Sequence, residues 1–333
     1  MDRLWFTRCP VPTATGIAAD RGRLAEEFAP DDITVRSLQE ATAAEAADHH
    51  FTHALDGLIR EGGNVPALWA RSGGEPTRLI GLTWIEERQS VLVRAGSAIR
   101  EPGALRGRRL AVPVHPVGID FWRAMALAGF AGALASAGLT LADAELTEVE
   151  GSPVGQWEGE LAALRDGRVD AVYVKGAVAV ETAERFGAVV AIDLDALPDR
   201  RHRVNNGTPR PITVHQRLLE ERPDLVDRFL AVLIESADWA RDRPAELARI
   251  LSAETGAGAA GVAGAYRPDI GHSLQLDLSD ERLDLLAQQE RFLSAQGFLP
   301  APVDVRHWAD PEPLARARAL LDSRRNSPTR TGH

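Results

Sequence analysis

Short apolar, β-branched runs alternate with longer segments of helical periodicity, and this alternation limits the fold more than any other feature of the chain. Residues 33–36, 78–84, 89–94, 109–112, 170–174 and 188–192 read as strands, and their near-continuous apolar character suits parallel strands buried on both faces. Leu4, Trp5 and Phe6 form a further strand-like run, with a helix expected to begin near Thr13 or Ala14. Beyond about Pro211 the texture becomes helical. Leu225, Phe229, Val232, Leu233 and Ala237 mark one face of a helix over 223–240, and further helices are expected over 242–251 and 280–293. The class is therefore α/β.

A length of 333 residues allows two domains. The order of the runs suggests a discontinuous first lobe, 1–99 plus 206–325, and an inserted second lobe, 100–205. The polar stretch 326–333 reads as a disordered tail. A cleft between lobes is where a ligand is expected to bind in such an arrangement.

Composition removes several classes of function. The single cysteine, Cys9, excludes an intrachain disulfide framework, thiolate zinc sites and iron–sulfur clusters. A net charge of −10 argues against a nucleic-acid surface, which needs clustered positive charge. No run approaches the roughly 18 uncharged apolar residues of a membrane span. The residues after Met1 contain no apolar signal region, so a cytoplasmic protein is expected.

Cys9 follows a strand-like run and precedes a helix start, a place that favours a thiolate or a bound anion, although a lone buried thiol is commonly structural. His50, Phe51 and Thr52 lie upstream of Arg60, Gly62, Gly63 and Pro66. A cysteine with a histidine elsewhere is a candidate nucleophile–base pair, and an arginine fork matches an anion with two oxygens. From the residues alone, a surface ion pair with a nearby acid is the commoner explanation for Arg60. His49 and His53 share a helical spacing, but no third ligand accompanies them, and no metal is expected. The GxGxxG match at Gly256, Gly258 and Gly261 follows a helical segment and not a strand, so it is set aside. Lys175, the sole lysine, lies just beyond a strand end. It could carry a Schiff base, but compositional bias accounts for it better.

Cys9-Pro10-Val11-Pro12, His50-Phe51-Thr52 and Arg60-x-Gly62-Gly63-x-x-Pro66 together resemble the hydroxybiphenyl sulfinate desulfinase family of bacterial dibenzothiophene desulfurisation. That family lies in the type II periplasmic-binding-protein-like superfamily. Segments at 106–110, 167–173, 239–242, 289–293 and 302–308 also look like family segments, so the likeness runs nearly end to end. The resemblance implies a two-lobed fold and cofactor-free hydrolysis of a C–S bond that releases sulfite from a small-molecule sulfinate. Cys9, His50 and Arg60 would be catalytic, with Cys9 either a proton donor to carbon or a nucleophile at sulfur. The Gly63 N–H would hold an oxygen, and Phe51, Trp122 and Trp157 would face the organic group. A monomer with no metal, nucleic-acid or membrane partner is expected. Between Glu145 and Asp170 the chain is shorter than the family pattern, which would alter the roof over the substrate. His115 has no counterpart that can be assigned. Competing readings are a solute-binding protein that captures a sulfonate-like anion and a thiamine-precursor synthase of the same superfamily.

Overall fold

The computed structural model describes residues 2–41, 49–151 and 156–326. The first lobe is built on a sheet ordered β2-β1-β3-β10-β4, from β1 (Arg3–Phe6), β2 (Thr34–Ser37), β3 (Leu58–Glu61), β4 (Thr77–Thr83) and β10 (Arg210–His215). β1 runs parallel to both β2 and β3, whereas β10 is antiparallel to both β3 and β4. Helices α1 (Ala14–Asp20) and α6 (Pro223–Arg241) bring apolar stripes to this sheet. Leu225, Phe229, Val232, Leu233 and Ala237 join Leu4, Phe6, Ile59 and Ile212 in one core. The spacing of those helical residues puts them on a single face, which is why this helix and not its neighbours becomes the central pillar.

The second lobe holds β5 (Gln89–Arg94), β6 (Arg109–Val114), β7 (Glu145–Glu150), β8 (Val172–Lys175) and β9 (Ala188–Asp193). Its strands form the orders β8-β5-β9 and β6-β7, and a bridge from Leu110 to Ala171 links the two. Helices α3 (Phe121–Ala135), α4 (Glu158–Arg165) and α5 (Ala177–Arg185) contribute Phe130, Leu134, Leu161 and Ala179 to its core. A third cluster around Trp308 packs α2 (Asn64–Ser72) against α7 (Asp280–Ala295).

The lobe boundary expected at 99/100 falls earlier. β5 pairs with β8 and β9, so the second lobe begins at Gln89. A strand buried on both faces does not show in its own pattern which sheet it joins. The chain crosses between lobes twice, from Thr83 to Gln89 and from Asp193 to Arg210. Of the expected tail, Asn326 is the last residue of a helix, α8 (Glu312–Asn326), and the rest lies outside the described residues.

Candidate active site

A cavity of about 350 Å³ lies between the lobes and is lined by Cys9, His50, Arg60, Gly63, Trp122 and Trp157 among others. Its chemistry begins where β1 ends. Pro10 and Pro12 fix φ and remove two backbone donors, so the chain leaves the sheet in a tight turn, with Val11 N–H donating to Cys9 O at 2.7 Å. Thr13 then caps α1, accepting from Gly16 N–H at 2.9 Å. The Glu61 carbonyl of the neighbouring strand fixes this turn. It accepts from Thr7 Oγ1 at 3.0 Å and from Cys9 Sγ at 3.6 Å. Cys9 is thereby held at 8% exposure, with its S–H directed at a carbonyl.

Strand alternation sends the side chains of Arg60 and Glu61 to opposite faces of β3. The Glu61 carboxylate enters the first turn of α1, accepting from Thr15 N at 2.9 Å and Thr15 Oγ1 at 2.7 Å, and from Thr83 Oγ1 at 3.1 Å. Arg60 turns into the cavity. Its Nε donates to His50 O at 3.2 Å and its Nη1 to Gly63 O at 3.1 Å. Gly62 permits this pose, since a Cβ there would lie 2.6 Å from the guanidinium carbon. Arg60 is 1% exposed, its Nη2 is buried without a hydrogen bond, and no carboxylate among the described residues pairs with it. Burial lowers its pKa to about 10; Cys9 opposes the shift and Arg210 adds to it. The group remains cationic at neutral pH. A buried guanidinium with an unused N–H and no counter-ion is an anion site.

His50 is neutral. Burial, then the fields of Arg60, Arg210 and His53, pull it down to about 3. Among the described residues no hydrogen bond joins its ring to Cys9, whose thiol is directed instead at Glu61 O. Phe51 stands outside the cavity lining. It packs edge-on to His50 with centroids 4.9 Å apart and stacks on Phe121 at 6.1 Å. Phe121 itself faces the cavity, as do Trp122, Trp157 and Met125. The Trp122 and Trp157 rings meet edge to face at 5.1 Å, forming an apolar wall opposite the charged one. Gly63 lines the cavity and precedes the first turn of α2.

Other expected residues go elsewhere. His53 is fully buried, with Nε2 3.0 Å from Thr213 Oγ1. His115 sits outside the lining, where Asp120 holds its Nδ1 at 3.1 Å and its backbone N at 2.7 Å ahead of α3. Among the described residues no group of three His, Cys, Asp or Glu could hold a metal. Lys175 lines the cavity but is committed to protein partners: Glu87 Oε2 at 3.2 Å, Asn206 O at 2.7 Å and Thr208 Oγ1 at 3.4 Å. Burial lowers its pKa and Glu87 resists the shift. Sequence reasoning missed Arg210, Glu87, Phe121 and Met125. None belongs to a motif, and only the closure of the two lobes brings them together.

A family model described as NMT1/THI5 like matches residues 28–247. The chain belongs to this family. Within it, the chain is 28% identical to the 2'-hydroxybiphenyl-2-sulfinate desulfinase of Rhodococcus erythropolis over 351 aligned positions, covering 93% of this chain and 92% of that one. Among solved structures it superposes with a TM-score of 0.75 and 25% identity on a cysteine-to-serine mutant of the desulfurization enzyme DSZB in complex with biphenyl-2-sulfinic acid, covering 96% of this chain and 99% of that chain. The periplasmic aliphatic sulphonate binding protein SsuA from Escherichia coli gives a TM-score of 0.69 at 16% identity over 93% of this chain and 92% of that chain, a likeness of fold alone. This NMT1/THI5-like protein therefore has the two-lobed type II periplasmic-binding-protein-like fold, with its cavity in the cleft.

Proposed function

We propose that this protein is a sulfinate desulfinase, cleaving the C–S bond of an organic sulfinate to release sulfite. The observation that carries the reading is the placement of the Cys9 thiol and the unpaired Arg60 guanidinium in one cavity. A sulfinate carries one negative charge over two oxygens, which the free Nη2 of Arg60 can engage while the organic group lies against Trp122 and Trp157. The end-to-end likeness to a sulfinate desulfinase supports the same conclusion.

The chemistry needs no external oxidant. Cys9 S–H gives its proton to the carbon bearing sulfur, and the C–S bonding pair becomes the new C–H bond as sulfur dioxide departs. Water returns a proton to the Cys9 thiolate, and the resulting hydroxide adds to sulfur dioxide to give hydrogen sulfite. The neutrality of His50, which leaves Cys9 without an imidazolium partner, supports the proton-donor role over attack on sulfur. A neutral His50 can accept a hydrogen bond from the attacking water. An anion bound at Arg60 offsets the field that depresses His50 and so raises its basicity when substrate is present.

Incubation with aryl and alkyl sulfinates, followed by sulfite assay, tests the reading. Sulfite is expected from wild type, and Cys9→Ser is expected to bind the same sulfinates while releasing at most about a hundredth as much. The reading falls if no sulfinate yields sulfite. The fold shared with SsuA-type receptors would then favour anion capture.

A further inference from the structure

Four cationic side chains, Arg8, Arg60, Lys175 and Arg210, and one carboxylate, Glu87, line the cavity. Two of the cations are already matched. Arg8 pairs with Glu254, and Lys175 lies 3.2 Å from Glu87 Oε2. The other Glu87 oxygen accepts from Tyr266 Oη at 3.2 Å. Arg60 and Arg210 are left over, and a sulfinate supplies charge for only one of them.

Arg210 is 3% exposed, and its Nε is buried without a hydrogen bond. Among the described residues no ion pair reaches its guanidinium, which lies over Gly207, where a Cβ would be 2.4 Å from Nη2. The two arginines are anchored at different places on the sheet, with Arg210 close enough for its charge to act on Arg60. Arg60 stands opposite Thr213 across β3 and β10, and Arg210 is three residues further along β10, opposite Thr83 of β4. Three residues of extended chain offset their Cα positions by roughly 10 Å along β10. Near Arg60 stands Cys9. Near Arg210 stand Lys175, Glu87 and Tyr266, with no reactive group unassigned. A guanidinium kept dry and unpaired is costly unless an anion completes it, and its fork suits a carboxylate.

We infer that Arg210 forms a second anion subsite, and that the substrate is an organic sulfinate bearing a further anionic group, a carboxylate, on the side of its skeleton remote from sulfur. The inference rests on the desulfinase reading and narrows it to a doubly charged substrate class.

Sulfonates serve as probes that keep the anion but lack the sulfinate leaving group, so affinity can be read separately from chemistry. Calorimetry would compare benzenesulfonate with 2-, 3- and 4-sulfobenzoate. At least one isomer is expected to bind tenfold or more tightly than benzenesulfonate, with the other isomers clearly weaker, because a built subsite discriminates position and overall charge does not. In Arg210→Met that preference is expected to fall to about twofold or less, with Arg210→Lys retaining part of it. Equal binding of all four ligands to wild type, which needs no variant to fold, overturns the inference. So does an isomer preference that survives in a folded Arg210→Met. Sulfite release from benzenesulfinate and from 2-, 3- and 4-carboxybenzenesulfinate is measured alongside. Its absence from all four sinks the desulfinase reading and leaves the affinity result standing, whereas sulfite without an isomer preference sinks the second subsite alone.

Discussion

At the scale of single residues, the site is organised by what Arg60 gives away and what it keeps. Two of its three nitrogens donate to the carbonyls of His50 and Gly63, which lock the guanidinium plane, and the third, Nη2, is left for a ligand. A lysine in this place offers a point charge with no fork and cannot satisfy both carbonyls while reaching an anion. Arg60→Lys is therefore expected to weaken benzenesulfinate binding by about tenfold or more, measured by calorimetry, with the fold retained by circular dichroism. Unchanged affinity would place the anion elsewhere. Cys9 was conspicuous in the sequence because it is the only cysteine, and Arg60 because two glycines follow it. Arg210 carried no such signal. It begins an ordinary strand beside a proline, and its significance comes entirely from partners it lacks.

At the scale of elements, the legible strands were those with uninterrupted apolar runs, whether buried like 89–94 or at a half-exposed sheet edge like 188–192. The runs at 89–94 and 188–192 appear as Gln89–Arg94 and Ala188–Asp193. β3, β7 and β10 were not legible. β3 carries Arg60 and Glu61, buried charges that break the apolar pattern for the sake of the site, while β7 is a charged, largely exposed strand paired on one side to β6. β10 opens with Arg210 and Pro211. The helix over 223–240 was legible because one stripe faces one core. The second lobe is tightened in a way that no periodicity reveals. A Cβ on Gly129 of α3 would meet the Tyr173 ring at 2.1 Å. That ring cannot swing away, because its hydroxyl donates to Gln89 Oε1 at 2.7 Å and accepts from Asn205 Nδ2 at 3.0 Å. Gly129→Ala is expected to cost about 1–3 kcal/mol in urea unfolding, despite the higher helix propensity of alanine. An equal or higher midpoint would show that α3 can shift outward.

At the scale of the whole molecule, His50 and His53 are both held neutral at about 3, each chiefly by burial and then by Arg60. In the unfolded chain each titrates near the ordinary value of 6.5. Above 6.5 neither state binds these protons, and the stability they leave is complete. As pH falls below 6.5 the unfolded chain protonates first, so stability is lost progressively until about 3, where the folded protein follows. Urea midpoints are expected to drop through this window, and less steeply in His53→Gln, which keeps a hydrogen-bonding group toward Thr213. Identical slopes for the two proteins would remove His53 as a cause. The cavity itself is shared unequally. Cys9, His50, Arg60 and Arg210 come from the first lobe, and Phe121, Trp122, Met125 and Trp157 from the second. Under the proposed function, bond breaking and hydrocarbon fit would fall to separate lobes. Lineages could exchange one carbon skeleton for another by mutating the inserted half while the cleavage machinery stays fixed, and a directed-evolution library confined to those four aromatic and thioether positions would explore that freedom first.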